Sequence, residues 1–191
     1  MSLPTEINTE AESDEAIVKQ IQGGRHELFG EILQRFQSKI TRYISKFLRD
    51  PKDSEDIAQE VFIKAYRNIQ SFDSERKFSS WLYRIAHNES INFLKKKRVE
   101  SIPLFDFDTL FPHISHEDHK DEVNTLEIKE QIELSLDQLD SKYREPLVLY
   151  YIEGFDYKEI AEILRIPTAT VGVRLNRGKK ILKDKYDKLV K

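Results

Sequence analysis

Residues 156–182, DYKEIAEILRIPTATVGVRLNRGKKIL, constrain the fold more than any other stretch, because a helix start, a turn and a second helix must all fit inside it. Asp156 suits an N-cap, and Glu159, three residues on, suits the reciprocal position of a capping box. Ile160, Ala161, Ile163 and Leu164 supply a buried face, with Ala161 small enough for a second helix to approach closely. Pro167 ends the turn, Thr168 or Thr170 caps the next helix, and Val171, Leu175, Ile181 and Leu182 point inward. Thr170, Val173, Arg174 and Arg177 point outward, where Arg174 suits the edge of a guanine and Arg177, Lys179 and Lys180 suit phosphates. The segment reads as a DNA-binding helix-turn-helix. An amphipathic hairpin with a solvated basic face is the simpler reading, but it gives no reason for cap, alanine, proline and basic face to fall in register.

The rest of the chain is built in the same style. Glycine and proline number only six each among 191 residues, and strand-like alternation is nearly absent, so the expected fold is all-α, with two small helical domains joined by a linker. Cysteine is absent, which excludes disulfides and thiolate metal sites. No apolar run reaches the roughly 20 residues of a membrane span, and the acidic start MSLPTEINTEAESDEA lacks the character of a signal peptide. These features predict a cytoplasmic protein with no membrane insertion. The net charge of −3 is unevenly spread: nine Lys or Arg face two Asp between residues 165 and 191, and six face one Glu between 77 and 98. Between these basic blocks, residues 100–137 carry eleven acids and two lysines.

Four segments follow from this patterning: an acidic flexible tail at 1–14, a helical domain at 15–98, an acidic linker at 99–124 and the helix-turn-helix domain at 125–191. In the first domain, helices are expected at about 15–22, 26–48, 54–69 and 78–98, the second with Phe29, Ile32, Leu33, Phe36, Ile40, Tyr43, Ile44 and Phe47 on its core face. The third has Ile57, Ala58, Val61, Phe62, Ala65 and Tyr66 on its inner side, and Leu94 packs inward on the fourth. Helical spacing returns with Leu126, Ile128, Ile132, Leu136 and Leu139, and Pro146 fits the first turn of a short helix closed by Gly154.

Phe72, Phe78, Trp81 and Tyr83 gather just upstream of Lys95, Lys96, Lys97 and Arg98, a composition suited to single strands, whose bases stack on exposed rings at about 1–3 kcal/mol each. Aromatics at helical spacing serve a core equally well, and the two uses stay open ring by ring. Asp56 and Glu60 lie one helical turn apart and could share Mg²⁺, yet no third ligand is evident and a surface for a protein partner fits better. His113, His116 and His119 form HxxHxxH in the irregular linker, where nothing fixes a ligand geometry, so no metal and no cofactor are expected.

Taken together, these motifs resemble the extracytoplasmic-function (ECF) sigma factors, the smallest group of sigma-70-type subunits of bacterial RNA polymerase. DSEDIAQEVFIKAY at 53–66 is similar to the polymerase-binding segment of sigma region 2, and FSSWLYRIAHNESINFLKKKR at 78–98 to the segment that melts and reads the −10 element. LDQLDSKYREPLVLYYIEGFDYKEIAEIL with the helix that follows is similar to region 4, which reads the −35 element. The resemblance implies that Asp53, Asp56, Gln59, Glu60 and Phe62 dock on the coiled coil of the polymerase largest subunit, with further contact to the flap region. It implies −10 contacts by Phe72, Phe78, Ser79, Ser80, Trp81, His87, Asn88, Ser90, Ile91 and Asn92 with the basic run at 95–98, and −35 contacts by Thr168, Thr170, Val173, Arg174, Arg177, Lys179 and Lys180. The acidic linker would run toward the RNA-exit channel. An anti-sigma partner, a monomeric free state and the absence of any catalytic residue are also implied.

The recognition helix departs from the common Gly-Thr-Val-Lys-Ser-Arg pattern, carrying Ala169-Thr170-Val171-Gly172-Val173-Arg174 instead. A basic and a hydroxyl side chain are lost, which shifts the expected −35 readout toward duplex shape and phosphates. The competing readings are a dimeric helix-turn-helix regulator that binds operators without polymerase, and an enzyme acting on nucleic acid.

Overall fold

The computed structural model describes residues 12–48, 50–101 and 125–189, and all regular structure among them is helical. Residues 1–11 of the tail, residues 102–124 of the linker with its three histidines, and the Arg98 side chain lie outside the described residues. Ser13 starts α1 (Asp14–Gln22) by accepting from the Ala16 amide at 3.2 Å. A short 3₁₀ turn leads into α2 (Phe29–Ser45), so the expected 26–48 helix is shorter at both ends. Helix α3 spans Pro51–Asn68: Asp50 caps it through the Lys52 amide, and Pro51 takes the first position, where its missing N–H costs nothing. The helix expected at about 54–69 thus starts three residues earlier.

The longest helix, α4 (Phe78–Ser101), packs on α2 and α3 around Ile32, Phe36, Tyr43, Val61, Ala65, Phe78, Leu82 and Ala86. Its start is tied down from α1, whose Glu15 carboxylate accepts from the Phe78 amide at 2.9 Å. Gln22 fixes the preceding loop by donating to the carbonyls of Ile69 and Phe72, both at 2.8 Å. Tyr66 and Leu94, expected inward, are 44% and 36% exposed, although the Tyr66 ring meets Phe29 edge-on at 5.0 Å between centroids.

The second unit comprises α5 (Thr125–Asp137), α6 (Ser141–Leu147), α7 (Tyr157–Leu164) and α8 (Thr168–Leu189). Pro146 lies inside α6 instead of opening a helix, and the chain widens into a π-turn at Val148–Ile152. Proline offers no amide and crowds the carbonyl four residues back, so the ordinary ladder does not continue through it. Ile132, expected inward on α5, is 39% exposed.

Two glycines of α8 have opposite meanings. At Gly178 a Cβ would meet Leu147 Cδ1 at 3.1 Å and the Tyr143 carbonyl oxygen at 3.3 Å, whereas at Gly172 it would find only Tyr157 Cε2 at 3.6 Å. Gly178→Val is expected to lower the unfolding free energy by about 2 kcal/mol through overpacking. Gly172→Ala should raise it by up to about 1 kcal/mol through helix propensity. Urea unfolding of the two variants checks this, and shifts of the same sign would contradict the packing.

The units pack against each other along α4 and α7. Glu153, whose side chain is 2% exposed, joins them: it accepts from the Arg42 guanidinium of α2 at 3.0 Å and from the Tyr83 hydroxyl of α4 at 2.5 Å. Burial and the neighbouring Glu153 push the Tyr83 phenol well up, so it remains a donor. The Tyr83 ring stands edge-on to Phe155 at 4.7 Å, and Lys46 pairs with Glu133 at 2.9 Å.

Candidate nucleic-acid and polymerase interfaces

The helix-turn-helix is locally determined. Asp156 accepts from the amides of Lys158 and Glu159 at 2.7 and 2.8 Å, and Glu159 accepts back from the Asp156 amide at 2.8 Å, completing the capping box. Arg165 closes α7 in a left-handed conformation with φ of 54°, and the Ile166 amide reaches the Ala161 carbonyl. The Pro167 carbonyl, rather than a threonine hydroxyl, takes the first amides of α8, from Thr170 and Val171. Val171 and Leu175 are buried, Thr170 and Arg174 half-buried, and Thr168, Val173, Arg177, Lys179 and Lys180 exposed. One face of α8 thus holds the hairpin while the other presents cations.

At the start of α4 lies a cavity of about 260 Å³. Phe72 and Trp81 line it with Ser80 and the cations Arg76, Lys77 and Arg84, among which stand the carboxylates of Asp73 and Glu162. The two uses left open for these rings divide, and Phe72 and Phe78, expected to touch −10 DNA, fall to the core. Phe72 and Phe78 are 5% and 0% exposed, locked in edge-on and tilted contacts with each other and with Trp81 at 5.3–5.6 Å between centroids. They form the platform under the pocket, and half-buried Trp81 is the ring at its wall. Ser80 is 3% exposed, and its hydroxyl has no hydrogen-bond partner among the described residues.

Farther along α4 the expected contacts divide by face. Ser90 is 1% exposed and donates to the Ala86 carbonyl at 2.9 Å, so it belongs to the core and not to a DNA surface. His87 faces Tyr43, its Nδ1 3.5 Å from the phenol oxygen, and burial lowers its pKa to about 4, so it is neutral at physiological pH. Ser79, Asn88 and Ile91 are half-buried, while Asn92, Lys95, Lys96 and Lys97 are exposed. Lys97 donates to Asp53 at 2.8 Å.

Helices α2 and α3 enclose a groove of about 960 Å³, floored by Phe29, Leu33, Phe62, Ile63 and Tyr66 and edged by Asp56 and Gln59. Phe62 is 5% exposed and offers only its groove edge. Glu60 is half-buried, 3.6 Å from Lys64, which also pairs with Glu89 of α4 at 2.5 Å. Hydrogen bonding to Glu89 raises the Lys64 pKa, so that cation persists. Charged groups of both signs, Glu55 and Asp56 with Arg42 and Arg67, also line it. Among the described residues no group of three or more His, Asp or Glu is placed to hold a metal ion, and no helix is long and apolar enough to cross a membrane.

Comparison with known proteins matches residues 32–100 to Sigma-70 region 2 and residues 129–182 to Sigma-70, region 4. The ECF RNA polymerase sigma factor SigW of Bacillus subtilis is 38% identical over 173 residues, covering 87% of this chain and 92% of that protein. The chain belongs to the ECF RNA polymerase sigma factors. The sigma-E factor of Haemophilus influenzae is 31% identical over 93% of this chain and 97% of its own length. Among solved structures, CnrH in complex with the cytosolic domain of CnrY shares the fold with a TM-score of 0.69 at 22% identity, over 92% of this chain and 98% of that one. RpoE of Bartonella quintana in complex with the anti-sigma factor NepR gives 0.67 at 20% identity, over 83% and 96%.

In sigma-factor terms, α2 to α4 form region 2 and α5 to α8 lie in region 4. Sequence reading missed Arg76 and Arg84 at the pocket, although Arg84 follows Ser80 by one helical turn and so shares its face. It also missed Glu153 and Glu162, whose positions depend on packing between units distant in sequence.

Proposed function

We propose that this sigma factor specifies promoters through three surfaces: the α2–α3 groove for core polymerase, the pocket at the start of α4 for an unpaired −10 base, and the outer face of α8 for the −35 duplex. As an ECF sigma factor, the chain directs RNA polymerase to promoters. The carrying observation is the pairing of a walled pocket, with Trp81 beside Arg76, Lys77 and Arg84, and a separate helix presenting Val173, Arg174 and Arg177. Stacking on Trp81 and the buried Ser80 hydroxyl would offset the few kcal/mol that unstacking a base costs. Binding the strand only when it is open shifts the promoter toward the melted state, with no catalytic step required.

This reading shortens the tail to the residues before the Ser13 cap and the linker to those between Ser101 and Thr125, places the protein in the cytoplasm, and includes an anti-sigma partner, as in the RpoE complex with NepR. The operator-binding dimer is not favoured, since the sigma match spans both units in order. In-vitro transcription with purified core polymerase on a promoter library tests the reading. Protein-dependent starts sharing two spaced upstream elements are expected. Arg174→Ala should weaken them by about ten- to a hundred-fold and relax one position of the upstream element. DNA binding without new starts would overturn the reading.

A further inference from the structure

The outer face of α8 carries more than cations. Val173 is 50% exposed at its centre, with exposed Ala169 one turn before it and exposed Asn176 and Arg177 one turn after it, so the four share one face. Ala169 and Val173 are two of the three departures from the common pattern, and both add methyl groups to this face. The third, Gly172, leaves the flank toward α7 bare, since a Cβ there would meet only Tyr157 Cε2 at 3.6 Å. No long side chain therefore holds the helix backbone off a duplex on that side. Arg177, Lys179 and Lys180, all exposed, supply the positive surround that a phosphate-lined groove demands, which favours a duplex over an apolar protein partner as the occupant.

We propose that α8 reads A·T pairs in the −35 element, with Val173 packing on the 5-methyl group of a thymine and Asn176 pairing with an adenine. In the major groove thymine alone presents a methyl group, while an asparagine side chain accepts from N6 and donates to N7 of adenine. Ala169 extends the apolar strip toward the start of the helix, and Arg177 holds a phosphate, so base choice and affinity rest on different side chains. The readout thus includes base edges, beyond the shape and phosphates that the sequence pattern suggests. The inference rests on reading α8 as the −35 surface.

The test uses holoenzyme of the full chain with core polymerase, at fixed salt, on a fluorescein-labelled duplex promoter carrying the upstream element recovered from the promoter library. Each thymine of that element is replaced in turn by deoxyuridine, which keeps the pairing and loses only the methyl, and each adenine by 7-deazaadenine, which loses only the N7 acceptor. One or two deoxyuridine positions should weaken binding about four-fold, and one 7-deazaadenine position about ten-fold. Val173→Ser should bind thymine and deoxyuridine duplexes alike, and Asn176→Ala should do the same for adenine and its deaza analogue. Arg177→Ala should weaken every duplex while keeping both sensitivities. All three residues are exposed, so melting curves matching the parent's are expected. Indifference of the parent to every replacement, or a sensitivity that persists in its matching variant, would overturn the inference while leaving α8 as the −35 surface. If scrambling the whole upstream element leaves binding unchanged, the −35 reading falls and takes the inference with it.

Discussion

Asp56→Arg is expected to weaken binding to core polymerase by about thirty-fold or more, equivalent to ~2 kcal/mol, while leaving thermal unfolding unchanged. Asp56 is exposed at the edge of the α2–α3 groove, so reversing its charge disturbs no buried neighbour. In the proposed docking the apolar floor of Phe29, Leu33 and Tyr66 would supply contact area, and the Asp56 charge would favour a basic partner and fix its orientation. Glu60→Arg is a poorer probe, since it also places a cation against Lys64 and so disturbs the Lys64–Glu89 link between α3 and α4. Asp53 is likewise engaged, by Lys97. Titrating labelled protein with core polymerase, beside a melting curve, decides between contact and stability. Unchanged affinity removes the groove from the polymerase interface, and a parallel fall in melting temperature reassigns Asp56 to stability.

The second large effect is a pH dependence centred on Glu145. This residue is 7% exposed, and burial pushes its carboxyl up from 4.5 to about 7, against the opposing pull of Arg144 and Arg174. The folded protein therefore holds this proton more tightly than the unfolded chain. Its stabilising contribution is fully present below about pH 4.5 and is lost as pH rises through 7. At about 1.4 kcal/mol per unit, the window amounts to ~3 kcal/mol. Glu145→Gln keeps the shape and abolishes the ionisation, so the variant should be the more stable partner at pH 8 and lose that advantage by pH 5. Denaturant unfolding of both proteins across this range measures the difference directly. Parallel profiles would show that Glu145 titrates as an ordinary surface carboxyl.

What could be read from sequence was local. The capping box of Asp156 and Glu159, the small Ala161 and the inward Val171 and Leu175 are set by residues a few positions apart, and the structure places each as the spacing predicts. The aromatic group near 72–83 shows where local reading stops. Composition located the cluster, but only the packing of α1 to α4 decides that Phe72 and Phe78 face inward while Trp81 borders a cavity. Ser90 and His87 follow the same logic: both sit on a polar-looking helix, and both turn toward α2 or the core. Pro146 misled for a different reason, since a proline marks both a helix start and a place where an existing helix widens. Glu153 and Glu162 had no signal at all, as their partners lie 70 or more positions away or across a pocket.

Trp81 is the sole indole in the chain, and it forms the wall of the cavity that Glu162 overlooks. Eight tyrosines contribute at shorter wavelengths, but red-edge excitation selects this one residue. The chain thus carries an intrinsic optical reporter at the pocket proposed for an unpaired base. Its quenching and polarity would register occupancy in the native protein, without a dye or an added side chain.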